Sequence, residues 1–255
     1  MLEFHGEAAR LAYIDERPSD IDLGEPILLV HGFASTHAVN WVFPQWVKTL
    51  TEAGRRVVAF DNRGHGRSQK FYDPAAYSVL KMAEDARALL DHLEIEAADV
   101  MGYSMGARIT AFLADAHPRR VRSAILGGLG ARLVDDDGLP PHILTAMEAP
   151  SLESLTTPKE RMFRAFAEAT KSDLAALAAC ARGAGQGLDE TRLAALGMPV
   201  LVAIGTADDI AGDPYELARF FPRGQALAIP GADHNRAVGD KVYKSAVLEF
   251  LCSRP

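Results

Sequence analysis

The chain has 255 residues, 48% of them apolar and 24% charged, and a net charge of −7. That length suits one large domain with its own core, and the composition is that of a globular chain rather than a disordered or fibrous one. The acidic balance, without a dense Lys/Arg run, excludes the electrostatic footprint of a nucleic-acid or anionic-membrane binder, and no apolar stretch is long enough to span a bilayer.

The first stretch, "MLEFHGEAARLAYIDERP", lacks a basic segment followed by an apolar core, which predicts a cytoplasmic protein. Strands are then predicted at 9–15, 26–30, 56–60, 98–102, 121–126, 200–204 and 226–230. Several of these are unbroken Val/Ile/Leu runs, as strands covered on both faces require. Helical periodicity fits 41–53, 79–93, 105–116, 214–221 and 241–252. Strands alternating with helices predict the α/β class and a parallel sheet.

The alternation breaks between about 131 and 196, where Ala/Leu-rich helical stretches at 157–171 and 172–182 replace it. Thr157 as cap, Pro158 in the first turn and Glu160 three residues after the cap mark one helix start. The predicted division is a core of 1–130 and 197–255 with a helical insertion at 131–196. Asp135 to Asp137 read as a solvated loop, because they lack the ligand spacing of a calcium site. Cys180 and Cys252 stand in no ligand spacing and are expected as reduced thiols. No heptad run or long exposed edge speaks to oligomeric state.

One short stretch carries chemistry. In "MGYSMGAR" (101–108), Gly102 to Gly106 spell G-x-S-x-G between a predicted strand and a predicted helix. Two residues without a Cβ let the flanking elements approach while the serine between them takes a strained, exposed conformation. The helix N-terminus adds N–H groups and the positive end of its dipole beside that hydroxyl. Ser104 is therefore the candidate nucleophile.

With "LLVHGFAST" (28–36), "AFDNRGHGRS" (59–68), "IGTADD" (204–209) and "PGADHN" (230–235), the chain resembles the α/β-hydrolase superfamily along nearly its whole length. The resemblance implies an eight-stranded, mostly parallel sheet flanked by helices, with a small helical cap inserted after the sixth strand. It implies His234 as the base, in the loop before the last helix, and Asp208 as the acid that orients it. Asp209 is the reserve, and the acidic loop at 135–137 a further alternative. It also implies an oxyanion hole from the backbone N–H groups of Phe33 and Met105.

Trp41 and Tyr103 are possible neighbours of the acyl pocket, and plain core packing fits either of them equally well. His31 is expected to orient the loop beside the site, and His65 to be structural. His5, His37, His92, His117 and His142 read as surface or packing residues, and Asp61 and Asp233 as loop and turn carboxylates.

The expected reaction is two-step acyl transfer on a small-molecule ester or thioester, with no cofactor and no metal. Serine at the elbow argues against dehalogenases and epoxide hydrolases of this fold, which resemblance would give an aspartate there. Carbon–carbon bond hydrolases usually carry tryptophan after the histidine, where this chain has Asn235. Haloperoxidase or perhydrolase activity stays open, as does a non-catalytic ligand receptor, since fold alone proves no activity.

Overall fold

The computed structural model describes residues 1–6, 8–18, 20–134 and 139–253. Its strands are β1 (Leu2–His5), β2 (Arg10–Glu16), β3 (Ile27–Val30), β4 (Val57–Phe60), β5 (Ala98–Tyr103), β6 (Val121–Gly127), β7 (Val200–Gly205) and β8 (Gly224–Ile229). They form one sheet in the order β1-β2-β4-β3-β5-β6-β7-β8. β2 runs antiparallel to both of its neighbours, and every pairing from β4 to β8 is parallel.

The helices are α1 (Trp46–Glu52), α2 (Val79–His92), α3 (Met105–Ala116), α4 (Pro141–Glu148), α5 (Pro158–Ala169), α6 (Leu174–Gly183), α7 (Glu190–Ala194), α8 (Pro214–Ala218), α9 (His234–Ala237) and α10 (Lys241–Ser253). The sheet's central strands are buried on both sides, which is why they read as unbroken apolar runs. Along β3, Leu28 and Val30 pack on the face covered by α2 and α3, while Ile27 and Leu29 pack on the other with Trp46, Tyr243 and Val247 of α1 and α10. Beneath the sheet's other end, the buried Asp99 carboxylate is held by Arg55 at 2.9 Å and by the Ser123 hydroxyl at 2.7 Å.

Between β6 and β7 the elements are helical, α4 packing on both α5 and α6. The α5 start has the reciprocal cap its sequence promised: the Glu160 N–H donates to the Thr157 hydroxyl, and the Thr157 N–H donates to the Glu160 carboxylate. Asp135 to Asp137 lie outside the described residues. Cys180 is buried and Cys252 exposed, both as free thiols. Among the described residues no helix is long and apolar enough to cross a membrane.

Several elements differ from the sequence reading. β1 is an additional edge strand, too short and too exposed for periodicity to reveal. The helix expected over 41–53 is two pieces, a π-helical turn at Ala38–Val42 and then α1, because Gln45 adopts a left-handed conformation (φ 68°) that interrupts it. α4 and α7 were not anticipated; each is one to two turns long and held by packing rather than by a marked periodicity.

Candidate active site

Ser104 stands between β5 and α3 with φ 55° and ψ −115°, a left-handed conformation that costs a non-glycine residue about 1–3 kcal/mol. Close packing on both sides enforces it. A Cβ on Gly102 would lie 2.1 Å from the Gly106 carbonyl oxygen, and one on Gly106 would lie 2.0 Å from the Val30 carbonyl oxygen. Both glycines of G-x-S-x-G are thus required by contact, and the Ser104 N–H is anchored at 2.7 Å on the Gly127 carbonyl of β6.

Around that serine the structure brings together residues 130 positions apart. His234 Nε2 lies 3.1 Å from Ser104 Oγ, and His234 Nδ1 lies 2.7 Å from Asp208 Oδ2. Asp208 Oδ1 accepts from the Ile210 and Ala211 N–H groups, each at 2.9 Å. Burial opposes ionisation of Asp208, but the His234 hydrogen bond and charge, with the two amides, outweigh it and hold the carboxyl below its ordinary range. An ionised Asp208 only accepts, so Nδ1 carries the imidazole proton and Nε2 is free to accept from Ser104.

The base loop is fixed as well. Asp233 caps α9 by accepting from the Asn235 and Arg236 N–H groups at 3.0 and 2.8 Å, and the Tyr103 hydroxyl donates to the His234 carbonyl at 2.6 Å. Asp209, the reserve acid, is exposed and paired with Lys159 of α5 at 2.9 Å, away from the imidazole.

Phe33 and Met105 flank the serine. Met105 opens α3, where an N–H has no acceptor within its helix, and neither amide donates to a protein group among the described residues. The Met105 side chain turns away, its sulfur 3.8 Å from that of buried Cys180.

The loop carrying Phe33 rests on a buried polar network. His31 accepts the Asn62 N–H at Nε2 (2.9 Å) and donates from Nδ1 to the Gly32 carbonyl (2.8 Å), which fixes its tautomer. Burial pushes His31 down to about 4, only partly opposed by the Asp61 charge. His65 donates from Nδ1 to the Arg63 carbonyl (2.9 Å), its ring edge-on to both His31 and Phe33, and burial pushes it down to about 3. Asp61 accepts the His37 N–H (2.9 Å), the His37 Nδ1–H (2.7 Å) and the Arg67 N–H (2.8 Å). Although burial acts against its charge, those contacts bring Asp61 down to about 2. Of the readings open for it, His37 takes the packing one, and Asp61 is a loop carboxylate that is buried; both belong to this interior network.

Ser104 and His234 open into a cavity of about 260 Å³. Phe33, Val39 and Pro44 form one wall, and Ile143, Met162, Phe163 and Phe166 of α4 and α5 form the facing one. Of the two aromatics left open between pocket and core, Tyr103 lines it. Trp41 does not: it is fully buried with Trp46 on the α1/α10 face of the sheet, because the π-helical turn rotates it inward and brings its neighbour Asn40 to the cavity.

The family model described as "alpha/beta hydrolase fold" matches residues 25–176, more than half of the chain. The chain belongs to the α/β-hydrolase family. The match takes in the elbow and ends before β7, so Asp208 and His234 rest on the geometry above. This hydrolase-family chain is 30% identical to BpoC of Mycobacterium tuberculosis, a protein named for a non-heme bromoperoxidase activity, over 92% of this chain and 96% of that one. It is 29% identical to the dihydrolipoyllysine-residue acetyltransferase component of the acetoin cleaving system of Pseudomonas putida, over 83% of this chain and 59% of the relative's length. Among solved structures, a thermophilic esterase from Thermogutta terrifontis superposes with a TM-score of 0.74 at 25% identity, covering 96% of this chain and 93% of the other.

Asn40, Ser35 and the α4 and α5 side chains lining the cavity were not singled out from sequence. The helical ones carry no motif, and Asn40 precedes the predicted helix in a run with no signal of its own.

Proposed function

We propose that this α/β hydrolase cleaves carboxylic esters through a Ser104 acyl-enzyme. The observation that carries the reading is the Asp208–His234–Ser104 chain of hydrogen bonds, 2.7 and 3.1 Å long, opening into a largely apolar cavity. Ser104 Oγ attacks the ester carbonyl carbon as its proton passes to His234 Nε2, and the imidazolium formed is stabilised by Asp208. The carbonyl oxygen becomes an oxyanion beside the Phe33 and Met105 N–H groups, each such donor being worth about 3–4 kcal/mol in the transition state. Collapse breaks the ester C–O bond, and His234 returns the proton to the leaving alkoxide. Water then repeats the sequence: His234 takes its proton, its oxygen attacks the acyl carbon, and Ser104 leaves protonated.

Thioesters meet the same steps with a thiolate leaving group. The cavity of about 260 Å³ suits small to medium acyl esters, near the lower end of small-molecule sites. The kinship with BpoC supports a second reading, in which hydrogen peroxide replaces water at the acyl-enzyme and releases a peracid. The test is p-nitrophenol release from short-chain esters, with fluorophosphonate labelling, for the parent protein and Ser104→Ala. Release and labelling in the parent that Ser104→Ala lowers by about four to six orders of magnitude support the proposal. Equal slow release from both overturns it, and peracid formation outpacing acid formation favours the second reading.

A further inference from the structure

The cavity is largely apolar; apart from Ser104, His234 and Tyr103, its polar lining is Asn235 and Arg236 next to His234 and a corner formed by Asn40 and Ser35 near Phe33. Asn40 is 7% exposed, and its orientation is decided: Oδ1 accepts the Gly32 N–H at 2.8 Å, which leaves Nδ2 as the other end of the amide. That Nδ2 group donates to no protein acceptor among the described residues, yet it is not sealed away, since Asn40 lines the cavity. A buried amide donor without a partner costs stability unless something bonds it. Ser35 beside it is also buried, and its hydroxyl has only a 3.5 Å contact, at the outer limit for a hydrogen bond, with the Thr36 carbonyl.

Asn40 sits in an irregular stretch of backbone. The turn Ala38–Val42 is wound as a π-helix, with the Phe43 N–H donating to the Ala38 carbonyl at 2.9 Å, a form frequent at functional sites. Gly32 ties the corner to the chemistry: a Cβ built on it would lie 3.4 Å from Ser104 Cβ and 3.7 Å from Asn40 Oδ1. The leaving-group oxygen has to face His234 Nε2, whereas Asn40 stands on the Gly32–Phe33 side of the serine.

We infer that Asn40 is a specificity-determining residue, its Nδ2–H donating to a second oxygen on the acyl chain, close to the scissile carbonyl. The preferred substrates are then oxygenated acyl esters, such as 3-hydroxyacyl or alkoxyacetyl esters, rather than plain alkanoates of equal length. Ser35 Oγ is placed to accept from a hydroxyl or donate to an ether oxygen at the same corner. The inference rests on the ester-hydrolase reading.

The experiment compares p-nitrophenyl 3-hydroxybutyrate and methoxyacetate with p-nitrophenyl butyrate, in the parent, Asn40→Asp and Asn40→Ala. Asn40→Asp keeps an acceptor for the Gly32 N–H and replaces the donor with a second acceptor. The parent is expected to favour the oxygenated esters in kcat/KM by ~10- to 100-fold, as a site built around a hydrogen bond does. Asn40→Asp should abolish that preference, and Asn40→Ala should slow all three esters, having lost the Gly32 tether as well. Equal rates for oxygenated and plain esters in the parent, or a preference unchanged in Asn40→Asp, overturn the inference.

Calorimetric binding of 3-hydroxybutyrate against butyrate to Ser104→Ala separates the two readings. Tighter binding of the hydroxy acid that Asn40→Asp abolishes, in a protein whose parent turns over no ester, sinks the hydrolase reading and keeps the corner's specificity. Turnover of all esters without discrimination, together with equal binding of the two acids, sinks the inference and keeps the hydrolase.

Discussion

On one wall of the cavity, backbone geometry does the positioning; on the other, side-chain bulk does. The Ser104 side is made of glycines that admit no Cβ, a residue in a left-handed conformation and loops pinned by buried His31, Asp61 and His65. The α4–α5 side presents Ile143, Met162, Phe163 and Phe166 on helices that rest against the core through apolar packing and exposed ion pairs such as Lys159–Asp209. The first wall tolerates little displacement because hydrogen-bond angles and backbone contacts are steep functions of distance. The second can change residue by residue while keeping its shape, which suits the part of a hydrolase that selects among substrates.

The deepest loss is expected on the first wall. Asp208→Asn should cut kcat by roughly 10³–10⁴-fold with KM little changed, because the amide can hold the wrong imidazole tautomer at unaltered geometry. Steady-state kinetics on a p-nitrophenyl ester measure it, and a loss below tenfold would place the acid elsewhere.

Acid should also strike that wall. An unfolded chain protonates His31 and His65 near pH 6.5, whereas in the fold they wait until about 4 and about 3. The stability tied to their neutral forms is therefore complete above pH 6.5 and is lost as pH falls from there toward 4. Two protons give a slope of about 2.7 kcal/mol per pH unit in that window. Asp61, held low, adds its own loss only below its ordinary range, between about 4 and about 2. Urea midpoints at pH 7, 6 and 5 should fall, and His65→Asn should flatten the slope by about half.

On the facing wall, Phe166→Ala should raise the kcat/KM ratio of longer to shorter acyl esters by about tenfold, leaving the best rate near the parent's. A collapse of all rates would show that α5 positions the chemistry and does not merely shape the cavity. The smallest effect belongs to Asp209→Asn: its Lys159 pair is exposed and screened, so activity should stay within about twofold and the melting temperature within a degree or two.

How much the sequence disclosed divides along the same line. The sheet from β2 to β8 and the helices α2, α3, α5, α6 and α10 were legible because buried strands and amphipathic helices must repeat apolar residues at fixed periods. Ser104 was legible because the elbow demands glycine at two stated offsets, and the structure shows a backbone oxygen occupying the place of each missing Cβ. Trp41 was left open between the cavity and the core because nothing in composition distinguishes a core tryptophan from a lining one; the π-helical turn at Ala38–Val42, which no periodicity announced, carries it into the core. β1 escaped because a four-residue edge strand with one buried side chain has no period to detect. The cavity wall of α4 and α5 was illegible for a deeper reason: apolar packing accepts many sequences.

The Tyr103 hydroxyl bonded to the His234 carbonyl joins residues 131 positions apart. Ser104 precedes two strands, β6 and β7, that must be in place before β8 can deliver the histidine to it. Nothing nearer in sequence can substitute. A chain emerging in order thus completes its elbow early and stays without a general base until its last segment docks. Once folded, a local opening of that segment would silence the enzyme while leaving the rest of the sheet paired. Activity in this protein is accordingly a reporter of how firmly the loop and short helix α9 that carry His234 are seated, a property that bulk unfolding measurements average away.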